Sequence, residues 1–215
     1  MSNDYLMVFV KNLIPGTVKT RLVKDIGMDG AFDVYKELLD YTAEIANKCK
    51  NMNKAVFYSE YVDRYDDWDN DHYEKYIQHG DGLGERMMNA FEQSFDKGME
   101  NVVLIGSDNL EIEKSHIQEA FTALKKNDLV FGPSADGGYY LVGMKNIFPA
   151  LFEDKTYSHG QVLNQALDEA DKFGLSYHLL DTLHDIDTME DLKRAGYEII
   201  IEDDPAENDD PIGRI

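Results

Sequence analysis

The 215-residue chain has a single cysteine, Cys49, which falls within a helical pattern. An intrachain disulfide and a cysteine-built zinc site are therefore both excluded. It has no apolar run near the length of a transmembrane helix, and around Asn3 and Asp4 it lacks the basic opening of a signal peptide. A cytoplasmic protein is expected. Basic residues are scarce: 21 Lys and Arg stand against 42 Asp and Glu, a formal charge of −21. That balance argues against general affinity for nucleic acid or an anionic membrane, since both are polyanions. There is no Gly-x-x-x-x-Gly-Lys-Ser/Thr and no Gly-x-Ser-x-Gly, so a Walker loop and a serine nucleophile elbow are absent. The histidines His72, His79, His116, His159, His178 and His184 are scattered without metal spacing.

What the chain does have is enough apolar material, 43% with 10 Phe and 13 Tyr, to bury one substantial core. Residues 1–200 read as one domain and residues 201–215 as an acidic, solvated tail. A second acidic stretch, 63–71, is interleaved with Tyr65 and Trp68 and reads as an exposed loop. Short apolar runs at 5–10, 55–58, 102–105, 129–131, 139–142 and 177–180 read as strands, with a weaker one at 76–78. Between them, helical spacing appears at 30–48, 87–95, 113–124, 161–173 and 189–197. This alternation predicts a three-layer α/β/α domain around a mainly parallel sheet.

Four segments carry candidate chemistry. In Lys11-Asn12-Leu13-Ile14-Pro15-Gly16-Thr17-Val18-Lys19-Thr20-Arg21-Leu22, a turn follows the first strand and a short helix is expected from Thr17. Gly16 permits close approach to the main chain, and the first N–H groups of a helix attract an anion. Lys11, Lys19 and Arg21 would add charge-assisted bonds to phosphate oxygens. Asp108 follows the strand 102–105 and lies at the carboxyl edge of the sheet, where such folds bind ligands. A hard oxygen ligand there suits Mg²⁺ or Mn²⁺; a helix cap is the plainer alternative. Asp136-Gly137-Gly138-Tyr139 forms either a simple turn or a substrate-facing loop in which Asp136 meets hydroxyls. In Asp185-Ile186-Asp187-Thr188, one of the two aspartates is expected to face the cleft and join Asp108 around a metal, while Thr188 opens a helix. Arg86, in the first turn of a glycine-preceded helix, opposes the dipole and calls for an anionic partner.

Taken in order, these blocks resemble the DUF2064 family of glycosyltransferase-like proteins. The matching segments are Lys11 with 15–22, Gly82-Leu83-Gly84-Glu85-Arg86-Met87, Ile105-Gly106-Ser107-Asp108, 132–141 and 185–192. Leu13 and Leu110 replace prolines of the family pattern, and Tyr157-Ser158 replaces a Trp-Ser pair. The resemblance implies a GT-A-like nucleotide-diphospho-sugar transferase fold and kinship with molybdopterin and phospholactate guanylyltransferases. It implies nucleotide contacts from Lys11, Gly16, Lys19, Thr20, Arg21, Gly84 and Arg86. It further implies a metal at Asp108 and Asp187, and acceptor contacts from Asp136, Gly137, Gly138 and Tyr139, with Asp108, Asp136 and Lys19 catalytic.

The expected activity is transfer from a nucleotide-activated donor to a small-molecule acceptor, assisted by Mg²⁺ or Mn²⁺. Glycosyl transfer from a nucleotide sugar is the first expectation, and nucleotidyl transfer to a phosphorylated substrate with release of pyrophosphate is the alternative. A non-catalytic nucleotide-binding protein on the same fold is the reading from another class. Oligomeric state is not legible in the chain.

Overall fold

The computed structural model describes residues 3–153, 155, 157 and 160–197. The acidic tail expected at 201–215, Ser158 and His159 lie outside the described residues. Among these residues seven strands form one sheet: β1 (Asp4–Val10), β2 (Asn53–Tyr58), β3 (Glu74–Ile77), β4 (Asn101–Ile105), β5 (Leu129–Pro133), β6 (Tyr139–Met144) and β7 (Tyr177–Leu179). The helices are α1 (Val23–Lys48), α2 (Leu83–Asp96), α3 (Lys114–Leu124), α4 (Val162–Lys172) and α5 (Met189–Arg194). Strand order is β3-β2-β1-β4-β6-β5-β7. Only the pairings made by β6 are antiparallel.

Strand β1 shows how the layers arise. Successive side chains of a strand point to opposite faces. Leu6, Val8 and Val10 join a core with α1 and α3, while Tyr5, Met7 and Phe9 join one with α2 and α4. Both faces are covered, which is why the strand reads as a continuous apolar run. The three-layer α/β/α sandwich expected from the sequence is the architecture found. A third, smaller core packs Val18 and Leu22 against Val34, Tyr35 and Leu38 of α1 and Leu192 of α5. It fastens the segment following β1 to the rest of the molecule.

β1 is the strand at which the chain reverses direction across the sheet, with β2 and β3 on one side and β4 on the other. Beyond the carboxyl ends of such neighbours the connections diverge and leave a crevice. Lys11 follows β1 and Asp108 follows β4, so both stand at its mouth. Because β6 runs against its neighbours, the turn that precedes it reaches the same edge and brings Asp136 with it.

Two local expectations differ from the structure. No helix forms at Thr17: residues 15–22 are turns, and Lys19 has the left-handed φ of 45°, which a right-handed helix does not accommodate. The helix begins instead at Val23 and is kinked at Gly27. The acidic stretch 63–71 is not simply a solvated loop. Trp68 is only 3% exposed, stacked edge-on against Tyr73, and Asp66 takes a half-buried ion pair from Lys75 at 2.5 Å and a hydrogen bond from the Tyr58 hydroxyl.

Candidate active site at the carboxyl edge of the sheet

The strap from Lys11 to Leu22 is held at both ends. Lys11 N donates to the Tyr35 hydroxyl at 2.8 Å, and that hydroxyl also meets Ser107 Oγ at 3.0 Å. Tyr35 thereby ties the exit of β1 to the exit of β4. Burial, with the Asp108 charge nearby, pushes its pKa well up, so it remains a neutral phenol. Asn12 Oδ1 accepts from Glu60 N at 2.9 Å and Tyr61 N at 3.2 Å, fixing the strap to the loop after β2. With no helix at Thr17, the cluster does not draw on a helix N-terminus there, and its positive charge comes from side chains.

Lys19 is the centre of that charge. Its ammonium lies 2.5 Å from Asp108 Oδ1 and 3.2 Å from Asp187 Oδ1, and Arg21 reaches Asp187 Oδ2 at 3.2 Å. The Lys19 side chain is 4% exposed, whereas Asp108 and Asp187 are 45% and 43% exposed. Burial alone would lower the ammonium's pKa; the two carboxylates more than offset it and hold it above its ordinary value. Asp108 is placed by its own loop. Its carbonyl accepts from Ile186 N at 2.8 Å, and Asn109 Oδ1 accepts from Glu111 N and Ile112 N at 2.7 and 2.8 Å. The Asn109 side chain shapes this turn, where the family pattern has a proline at position 110.

Asp108 and Asp187 are hard oxygen groups that could hold a divalent cation such as Mg²⁺, which keeps several ligand positions for groups other than protein. Both carboxylates keep part of their oxygen surface toward the cleft. Among the described residues no group of three or more His, Cys, Asp or Glu surrounds a common point.

A cavity of about 220 Å³ lined by Lys11, Lys19, Thr20, Arg21, Asp108 and Asp187 adjoins a cleft of about 340 Å³. Part of the cleft wall is formed by Phe9, Gln78, Leu83 and Met87. Asp136, Gly138, Tyr139, Tyr157 and Asp185 line it as well. Asp185 and Asp187 both line it, contrary to the expectation that one would. Residues two apart in an extended segment share a side, and Ile186 between them turns into the third core. Burial, reinforced by the charges of Asp108 and Asp136, pushes the Asp185 carboxyl up to about 6.

Other expected site residues act from behind the wall. Arg86 Nε donates to Gly80 O at 3.0 Å, so its partner is the loop before α2. At Gly84 a Cβ would stand 2.5 Å from Phe152 O and 2.8 Å from the Tyr157 ring, so a side chain has no room there. Gly137 N donates to Ser134 O and Gly138 N to Asp136 Oδ1, which spends both N–H groups within the turn. Gly138 contributes clearance to the cleft, while Gly137, with φ of 89°, lets Gly160 O pass where a Cβ would be 2.2 Å away. Gly16, φ 79°, turns the strap. Tyr35, Gln78 and Asn109 were not among the residues assigned a role from sequence. Tyr35 carries the helical spacing of Val34 and Leu38 and looks like core, and Gln78 is the last residue of the weak run read at 76–78.

The family model described as an uncharacterized protein conserved in bacteria, DUF2064, matches residues 42–159, which include Asp108 and Asp136. The 2-phospho-L-lactate guanylyltransferase of Methanocaldococcus jannaschii is 35% identical over 114 residues, 52% of this chain and 48% of that protein. The chain thus spans about half the length of the curated relatives it matches. A structure from Desulfovibrio desulfuricans G20 described as a nucleotide-diphospho-sugar transferase is 29% identical, with a TM-score of 0.84 over 91% of this chain and 87% of that one. The inositol-1-phosphate CTP transferase of T. maritima shares the fold at 15% identity, with a TM-score of 0.55 over 91% of this chain and 94% of that one. With its family model covering more than half of the residues and its sheet built on the nucleotide-diphospho-sugar transferase plan, the chain belongs to the DUF2064 family.

Proposed function

We propose that this chain is a transferase acting on a nucleoside triphosphate, moving the nucleotidyl group to a small acceptor with release of pyrophosphate. The observation that carries the proposal is the pairing of a basic strap with Asp108 and Asp187 at the point where the sheet reverses. The guanylyltransferase relatives support the same reading. Lys11 and Arg21 would neutralise the phosphates by charge-assisted hydrogen bonds. Lys19 would leave Asp108 for a phosphate oxygen and stabilise the charge that grows on departing pyrophosphate. A divalent cation held by Asp108 and Asp187, when bound, would polarise the α-phosphate and fix its geometry. The acceptor oxygen would attack the α-phosphorus as the bond to the bridging oxygen of pyrophosphate breaks, with Asp136 and the turn before β6 shaping the acceptor's place.

Glycosyl transfer from a nucleotide sugar is the second reading, supported by the similarity to the Desulfovibrio structure. A thermal-shift panel separates the two. Nucleoside triphosphates, nucleoside diphosphates and nucleotide sugars are compared with and without Mg²⁺ or Mn²⁺, and pyrophosphate release is then assayed for the best donor. Ligand at a hundred times its Kd adds about 2.7 kcal/mol. Metal-dependent stabilisation by triphosphates supports nucleotidyl transfer; stabilisation only by nucleotide sugars supports the second reading. Binding without metal dependence or turnover would fit the non-catalytic alternative, and no shift across the panel removes nucleotide chemistry.

A further inference from the structure

Ser107 is the residue before Asp108, and only 3% of it is exposed. Its Oγ lies 3.0 Å from the Tyr35 hydroxyl, which in turn takes the Lys11 backbone N–H at 2.8 Å. The direction of this chain of hydrogen bonds follows from its first link. A backbone N–H can only donate, so Tyr35 Oη is an acceptor toward Lys11. The phenolic hydrogen of Tyr35 then needs an acceptor of its own, because a buried hydroxyl left unpaired forfeits its hydration. Ser107 Oγ is the acceptor within reach.

Ser107 thus accepts from Tyr35 and keeps its own hydroxyl hydrogen. Among the described residues no protein acceptor takes that hydrogen. The neighbouring Gly106 N–H is spent on Tyr140 O at 3.0 Å and offers nothing to a ligand. Ser107 lines the larger cleft but not the strap cavity, whereas Lys11, Tyr35, Asp108 and Asp187 line both. Lys19 and Arg21 line the strap cavity alone. The hydroxyl therefore sits one step along from the cations that would hold departing pyrophosphate. The next phosphorus of a triphosphate laid across that seam is the α-phosphorus.

We infer that the Ser107 hydroxyl donates to a non-bridging oxygen of the α-phosphate, with Tyr35 as the positioning residue that fixes its direction. The inference rests on the triphosphate reading above and adds a neutral donor beside the charged ones. The two kinds do different work. Lys19 and Arg21 are long side chains that answer net charge, and Asp108 and Asp187 hold them meanwhile. Ser107 is short, buried and oriented in advance, so only an acceptor oxygen placed at the end of β4 satisfies it. A donor preset in this way has no reorganisation to undergo when charge shifts onto the phosphoryl oxygens.

Isothermal titration with Mg²⁺ present tests the inference on the wild-type chain, Ser107→Ala and Tyr35→Phe. The probes are GTP and the two diastereomers of GTPαS, or the same set built on ATP, CTP or UTP if one of those binds more tightly. Sulfur accepts a hydrogen bond poorly, and each diastereomer places it at a different non-bridging position. Ser107→Ala removes a single oxygen and is expected to weaken triphosphate binding about tenfold. It is also expected to change the affinity ratio of the two diastereomers by at least about fivefold, since one of them has already lost the bond to sulfur. The metal's own preference between diastereomers is common to all three proteins and cancels from this comparison. Tyr35→Phe leaves Ser107 undirected and should move the ratio the same way by a smaller factor. An unchanged ratio in Ser107→Ala overturns the inference whatever happens to overall affinity, because a merely structural serine would weaken both diastereomers alike. A ratio that Tyr35→Phe leaves at the wild-type value overturns the positioning role of Tyr35. If no triphosphate binds the wild type, the donor reading itself falls and takes this inference with it. Triphosphate binding with an unchanged ratio removes only the role of Ser107.

Discussion

The ammonium of Lys19 sits between Asp108 and Asp187, 2.5 and 3.2 Å from their oxygens, in the place a divalent cation would take. A resident positive charge of this kind competes with metal. Free protein is expected to bind Mn²⁺ weakly until a triphosphate draws Lys19 away. Lys19→Ala should bind Mn²⁺ alone about tenfold more tightly than wild type and triphosphate about tenfold less tightly. Electron paramagnetic resonance of free Mn²⁺ reads the first and titration calorimetry the second. Equal Mn²⁺ affinity in the two proteins would show that Lys19 and the metal do not share a seat.

Asp108→Asn keeps the shape of the side chain and removes its charge. The variant should lose the enhancement of triphosphate binding by Mg²⁺ and lower turnover by about 100-fold or more, the scale of removing one electrostatic stabiliser. Metal-free triphosphate affinity should remain within about threefold or rise, since a negative charge has left the phosphate side. Single-turnover assays with and without Mg²⁺ make the comparison.

The raised Asp185 carboxyl gives a pH signature. In the unfolded chain it titrates near 3.8 and in the folded one near 6. Below 3.8 both states hold the proton and the contribution to stability is fully present. As pH rises toward 6 the unfolded chain releases its proton first, so this contribution is lost and stability falls. Asp185→Asn should therefore be more stable than wild type at pH 8 by on the order of 2 kcal/mol, with the gap closing toward pH 4. Urea unfolding across that range, without divalent cations, decides it; a gap that stays constant with pH would contradict the assignment.

Lys75 and Asp66 anchor the loop between β2 and β3 from below, with side chains 3% and 19% exposed. Lys75→Ala leaves a half-buried carboxylate without its counter-charge, still hydrogen-bonded by the Tyr58 hydroxyl and Trp68 N, and should cost about 1 to 2 kcal/mol. Trp68, the only tryptophan of the chain, reports on this loop, so its emission should shift to the red in the variant even under native conditions. Unchanged stability and emission would mean that the loop is held elsewhere.

The strands were legible because both faces of the sheet are covered, which leaves uninterrupted apolar runs such as Leu6, Met7, Val8 and Phe9. Once the strand ends were placed, Lys11, Asp108 and Asp136 fell at one edge. The exclusion of a helix at Thr17 was not legible, since a left-handed lysine is fixed by tertiary contacts with Asp108 and Asp187 from more than 80 residues away. Tyr35 was hidden by its helical spacing, because periodicity reports which face is buried and not what a hydroxyl at its end will hold. Gln78 was hidden for the opposite reason: its partners are backbone carbonyls of β1 and β2, which any sequence supplies.

The buried pair Val18 and Leu22 gives the basic strap a thermodynamic character. Loops that close on a ligand usually surrender conformational entropy when they bind it. Here the two apolar plugs are seated against α1 during folding, one on each side of Lys19, so the backbone between them has already given up that freedom. A phosphate entering this strap needs to reorient lysine and arginine side chains and little else. Association should therefore be fast, sensitive to ionic strength and accompanied by only a small change in heat capacity.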